Sequence, residues 1–203
     1  MGSKNFKRLK LIKIKSEGLK MENTLIKLLV SNDYWKLLNN FRAKDTVNLT
    51  RKEFVNINRT GNFLQSTDGG RAIKIKIDDL PDTLPEGSYK VLSTTKYSKH
   101  LTELILEPSQ LSFPDLKIVW ISDERVLLYP ILSLTDEPSK ISKETVRIYE
   151  KTGRIINYKF LNDIAGNFGY NWAVYARDAE IKKHDSLLFT VAPDIEAMIM
   201  PLR

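Results

Sequence analysis

The chain has 203 residues, 42% of them hydrophobic and 28% charged, which is enough apolar content for a packed core and excludes an intrinsically disordered chain. It contains no cysteine, so disulfides, thiolate metal centres and cysteine nucleophiles are excluded, and no stretch approaches the roughly 18 apolar residues of a membrane span. The net charge is +7 with a pI near 9.4, which favours an anionic partner. Residues 1–20 hold nearly all of that excess, with seven basic side chains against Glu17.

Met1 to Lys20 alternates basic and apolar residues where a signal peptide would carry an apolar block, so a soluble cytoplasmic protein is expected. Leu9 to Lys15 reads as a strand with a basic face, and Thr24 to Val30 as its hairpin partner across Ser16-Glu17-Gly18. A helix follows, capped by Asn32 or Asp33, with Tyr34, Leu37, Leu38 and Phe41 at helical spacing. Its opposite face would carry Lys36, Asn40 and Lys44, with Arg42 alongside. Phe54–Asn58 alternates as a strand, Asp68-Gly69-Gly70 marks a turn, and Ala72–Ile77 alternates apolar against basic. After a loop at Leu80–Gly87, Tyr89–Thr94 and Leu101–Leu106 form a strand pair, and Pro108 and Pro114 precede an apolar Leu116–Ile121.

Beyond Ser122 the rhythm restarts. Val126–Leu134 reads as a strand, Asp136–Ser139 as a loop, Thr145–Tyr149 as a further strand and Lys151–Arg154 as a turn. Asn157–Phe168 reads as a helix with Leu161, Ile164, Ala165 and Phe168 inward and Lys159, Asn162 and Asp163 outward. Trp172–Ala176, Ser186–Val191 and Glu196–Pro201 read as strands. In the last of these, Ala197, Ile199 and Pro201 face away from Met198, Met200 and Leu202. Pairing is expected to stop at Pro201, which has no N–H to donate. The fold class is therefore α+β, with a basic extension at 1–20, one strand-rich unit at 21–121 and a second at 122–203 that shows a single helix.

Catalytic signals are sparse. His100 and His184 have no acidic neighbours at metal-ligand spacing, and neither a phosphate-binding Gly-rich loop nor a serine elbow occurs. The one enzyme-like cluster is Asp178, Glu180 and Lys182 with remote Asp115, the residue types of a metal-dependent nuclease. A turn between two strands accounts for the same residues. No catalytic residue, metal or cofactor is assigned.

Two phrases carry a resemblance. Ala197-Met198-Ile199-Met200-Pro201-Leu202-Arg203 resembles the terminal strand of bacterial-type DNA polymerase sliding clamps, the processivity β subunit, and Asn157 to Ile164 resembles the opening of that family's last helix. Leu84-Pro85-Glu86-Gly87, followed by a strand pair and Leu111 to Leu116, is similar to the close of a clamp domain, as Thr67-Asp68-Gly69 before Ile73–Ile77 is to a clamp strand turn. The resemblance implies two clamp-like domains, each a curved antiparallel sheet with helix or helices on one face. Bacterial clamps have three domains per chain and close as dimers, so a two-domain chain implies a phage-like homotrimeric ring. It further implies that double-stranded DNA passes through a pore lined by Lys36, Arg42, Lys44 and Lys159. A replicative polymerase and a clamp loader would bind by short apolar peptides in a cleft at Met198, Met200, Pro201 and Leu202. A strand-rich nucleic-acid-binding or regulatory protein that forms no ring is the alternative.

Overall fold

In the computed structural model the described residues are 25–45, 49–116, 120, 125–133, 138–168, 171–176, 186–191 and 194–201. In β1 (Ile26–Ser31), Ile26, Leu28 and Val30 are buried and alternate with half-buried neighbours, as a strand covered on one face requires. The helix α1 (Asn32–Phe41) begins at once, because the Ser31 hydroxyl accepts a hydrogen bond from the Tyr34 N–H at 3.1 Å. Leu37, Leu38 and Phe41 are fully buried on its inner face. The helix ends at Phe41, where Arg42 turns extended.

A single 3-10 turn (Lys52–Val55) leads to β2 (Ile57–Thr60), β3 (Phe63–Thr67) and β4 (Arg71–Lys76). The β3–β4 turn is closed by Asp68, whose Oδ1 accepts the N–H of Gly70 at 3.0 Å and of Arg71 at 3.1 Å. Gly69 has φ of +91°, and a Cβ there would lie 2.7 Å from the Phe54 ring, so both backbone and packing demand glycine. A long hairpin follows, β5 (Gly87–Lys96) and β6 (Leu101–Pro108). The second half contains β7 (Val126–Ser133), α2 (Pro138–Thr152), α3 (Tyr158–Phe168), β8 (Asn171–Ala176), β9 (Leu187–Val191) and β10 (Ile195–Ile199).

All ten strands form one sheet in the order β1-β6-β5-β2-β3-β4-β10-β9-β8-β7, and every pairing is antiparallel. Each half therefore runs strand, helical segment, three strands, and the last strands of the two runs pair with each other. At that seam Ile75 faces Ile195, Ile73 faces Ala197 and Arg71 faces Ile199. The first half differs in one respect: the β5–β6 hairpin stands between β2 and β1. The main core lies between sheet and helices and runs unbroken from Ile26 to Ile199. A second, smaller cluster on the opposite face joins Ala72, Leu188 and Met198 to Trp120, with Leu116 and Tyr175 against it.

Several expectations are corrected. Ser31, rather than Asn32 or Asp33, caps α1. Phe54 and Val55 belong to the 3-10 turn, and the strand starts only at Ile57. Pro138 and Ser139 of the expected loop and the expected strand at Thr145–Tyr149 belong instead to the fifteen-residue helix α2, so the second half has two helical segments instead of one, while Asp136 and Glu137 lie outside the described residues. The expected strand at Leu9–Lys15 lies outside the described residues, as do His184, Asp178, Glu180 and Lys182.

Candidate functional site

Two surfaces hold the residues singled out in the sequence: the helix layer and the outward face of β10. Ile195, Ala197 and Ile199 of β10 and Ile73 and Ile75 of β4 all belong to the main core beneath the helices. Strand alternation then sends Glu196, Met198, Ala72 and Lys74 to the opposite face.

In the helix layer, α1 packs on α3 and α2 packs on α3. The pin between α1 and α3 is Arg71 of β4, which is 8% exposed. Its Nη1 donates to Asp163 Oδ2 of α3 at 2.5 Å, its Nη2 to the Asn40 carbonyl of α1 at 2.6 Å, and its Nε to Asp68 Oδ2 at 2.9 Å. The guanidinium also stacks on Phe41 and Phe160, at 4.7 and 4.3 Å from the ring centres. Planar, permanently charged arginine suits a site that needs donors in several directions and flat faces for aromatic rings. Because β4 and β10 are neighbours, this one side chain locks the helices of both halves over the seam.

The four residues assigned to a DNA-facing surface divide. Lys36 on α1 and Lys159 in the first turn of α3 are exposed, and the Lys159 N–H is held by Asn157 Oδ1 at 3.0 Å. Arg42 is half-buried and structurally engaged: Nε donates to Asn39 Oδ1 at 2.8 Å, Nη1 to the Val55 carbonyl at 3.0 Å, and the guanidinium lies over Trp35. Burial lowers its pKa from the ordinary arginine value, with Asp45 pulling the other way. Lys44 is exposed but lies past the end of α1, so Lys36, Asn40 and Lys44 do not make one helical stripe. Helix α2 adds cations that the sequence reading missed, because its segment reads there as loop and strand. Lys143 is exposed with no ion pair among the described residues, and Arg147 is exposed and paired with Glu144 at 2.8 Å. Val146, Tyr149 and Tyr158 are also exposed on α2 and α3, so the layer mixes basic and apolar surface.

On the other face, Met198 is only 2% exposed. It packs with Trp120, whose indole Nε1 donates to Glu196 Oε2 at 2.9 Å. Glu196 also pairs with Lys74 at 3.4 Å and Arg125 at 3.5 Å, and Arg125 lies over Tyr175. The carboxylate is thus the centre of a small polar network that fastens the segment between the halves across β4 and β10. Met200 and Pro201 are half-buried, and the Met200 N–H donates to the Gly70 carbonyl at 2.9 Å. Strand pairing ends at Ile199, just short of Pro201. Leu202 lies outside the described residues.

Among the described residues no group of three or more acidic or histidine side chains is placed to hold a metal ion. Also among them, no helix is long and apolar enough to cross a membrane.

No protein-family profile and no curated protein sequence matches the chain. Solved structures do match. The chain is similar to the DNA polymerase III β subunit of Pseudomonas aeruginosa, with 13% identity, TM-score 0.53 and coverage of 93% of this chain and 69% of that one. It is similar to the sliding clamp of Bartonella birtlesii solved with griselimycin, with 15% identity, TM-score 0.52 and coverage of 93% and 68%. It is also similar to the Helicobacter pylori β clamp bound to a DNA ligase peptide, with 10% identity, TM-score 0.51 and coverage of 93% and 68%. At these identities the likeness is one of architecture, and the architecture is that of the bacterial DNA polymerase sliding clamps.

Proposed function

We propose that the chain is a divergent, non-enzymatic DNA sliding clamp, a processivity factor that encircles duplex DNA and tethers a replicative polymerase. The observation that carries this reading is the clamp fold itself, matched over 93% of the chain. A clamp must hold DNA without reading it, which calls for non-directional attraction to phosphates and no base-edge donors in fixed pairs. The exposed ammonium groups of Lys36, Lys143 and Lys159, each carried on a helix of the layer braced at Arg71, are of that kind. Lys44 adds to them from the end of α1, and Arg42, whose Nε and Nη1 are held by Asn39 and Val55, contributes through its remaining donors and its charge.

The chain spans 68–69% of the length of these neighbours, so three copies would supply the six domains of a ring. Support for assembly comes from the sheet: β1 and β7 each pair on one side only among the described residues, and Val126 and Leu127 on β7 are 37% and 48% exposed. An open edge with apolar side chains is a ready pairing surface. Such a protein would work in the cytoplasm of a bacterial or phage-infected cell.

Partners of the polymerase and clamp-loader kind would dock short apolar peptides beside β10. Trp120 already covers Met198, so the accessible part of that cleft is Met200 and Pro201, with Leu202 following in the chain. The direct test is retention on DNA. Loaded protein should stay on closed circular DNA and run off when the circle is cut once. Equal loss from circular and linear DNA would sink the proposal. Lys36→Glu with Lys159→Glu should lower retention and flatten its salt dependence by about two phosphate contacts.

A further inference from the structure

The hairpin strand β5 outruns its neighbour. Strand β2 pairs with it only at Gly87–Tyr89, whereas β6 pairs with it as far as Lys96. From Lys90 to Lys96 one edge of β5 therefore meets no strand among the described residues, and Leu92 to Lys96 are all exposed. An edge of this kind leaves main-chain donors and acceptors pointing outward, a template for an added strand.

Where β2 is missing there is a cavity of about 240 Å³, lined by Ala43, Val55 and Val91 together with Asn39, Arg42, Lys44, Asp45 and Lys90. Its apolar lining suits one aliphatic side chain. Charge decides what flanks it. Arg42 keeps Nη2 without a partner among the described residues, and Lys44 and Lys96 have no ion pair among them. Cross-strand partners share a face, so Lys96 opposite Thr102 and Thr94 opposite Leu104 lie on the face of Val91, which packs against the main core. A register shift between Val91 and Ser93 brings this about by inserting Leu92 as a bulge. Against these cations the cavity carries one carboxylate, Asp45.

We propose that the open edge of β5 is a second docking site that takes an extended acidic peptide as an added strand. An aliphatic side chain of the peptide enters the cavity over Val55 and Val91. Its carboxylates on the same face meet Lys44 and Lys96. The site is separate from the C-terminal strand and does not depend on ring formation.

The test uses the full chain and a fluorescein-labelled nonapeptide, Thr-Glu-Thr-Val-Thr-Glu-Thr-Glu-Thr, which as a strand puts its valine and its glutamates on one face, with the same peptide carrying lysine for glutamate as control. Fluorescence anisotropy should show saturable binding of the acidic peptide and none of the basic one. Amide hydrogen exchange should slow at alternate positions between Val91 and Lys96 when the acidic peptide is added. Lys44→Glu with Lys96→Glu, both exposed positions, should weaken binding by about tenfold or more while leaving the circular dichroism spectrum unchanged. Absence of binding, unchanged affinity in the double variant, or protection confined to other strands would overturn the proposal. So would protection of Val91–Lys96 that rises with protein concentration without peptide, since the occupant would then be a second copy of the chain.

Discussion

The two halves share the run of strand, helical segment and three strands, and they meet at β4 and β10, yet they bury their helices by different means. Helix α1 covers the sheet with its own apolar stripe of Leu37, Leu38 and Phe41, all fully buried. Among the described side chains, helix α2 turns Glu144, Ile148 and Thr152 inward, so Ile148 is flanked by two polar residues, while Val146 and Tyr149 face out. The difference is made up by contacts. Lys151 of α2 donates to the Leu128 carbonyl of β7, and α2 leans on α3. One outline thus tolerates two solutions. A helix over a sheet can be held by its own stripe or by its neighbours.

That contrast can be broken in order of expected effect, each time by urea unfolding. Phe41→Ala should be the most damaging, costing about 3–5 kcal/mol, because it removes a buried ring and one of the two aromatic faces on which Arg71 stacks at the seam. Arg71→Met should cost about 2–3 kcal/mol, less than for a fully buried pair, because Asp68 and Asp163 retain some solvent. It should also uncouple the halves, so that probes placed in α1 and α3 no longer report one transition. If both probes still coincide, Arg71 is not the pin. Ile148→Ala should cost about 2 kcal/mol, at the low end for such truncations, because α2 rests on polar contacts as well; a larger loss than for Phe41→Ala would reverse the comparison. Ser31→Ala should cost about 1 kcal/mol by removing the α1 cap.

The first half was the more legible in sequence because its periodicities are clean. Leu37, Leu38 and Phe41 repeat at helical spacing, and Ile73 and Ile75 alternate with Lys74 and Lys76. Helix α2 was missed for a physical reason: in its described part the buried stripe is mostly polar, and Thr145 to Tyr149 reads as alternation when Val146 and Tyr149 are in fact solvent-facing. With α2 went Lys143 and Arg147. Arg71 was invisible too, since its role depends on Asp163, 92 positions away, and no local pattern reports such a contact. The opposing faces of β10 were readable from alternation, whereas the burial of Met198 under Trp120 required knowing where the segment between the halves crosses the sheet. The β5 edge was hidden because strand lengths, not residue types, create it.

The central claim is that this fold closes around DNA, and closure needs more than one chain. Light scattering on the purified protein, from high to low concentration, measures it most directly. A clamp of this size should show an assembly near three times the 23.4 kDa chain mass, dissociating only on dilution. A single 23.4 kDa species at every concentration, with no larger form in the presence of DNA, would contradict it.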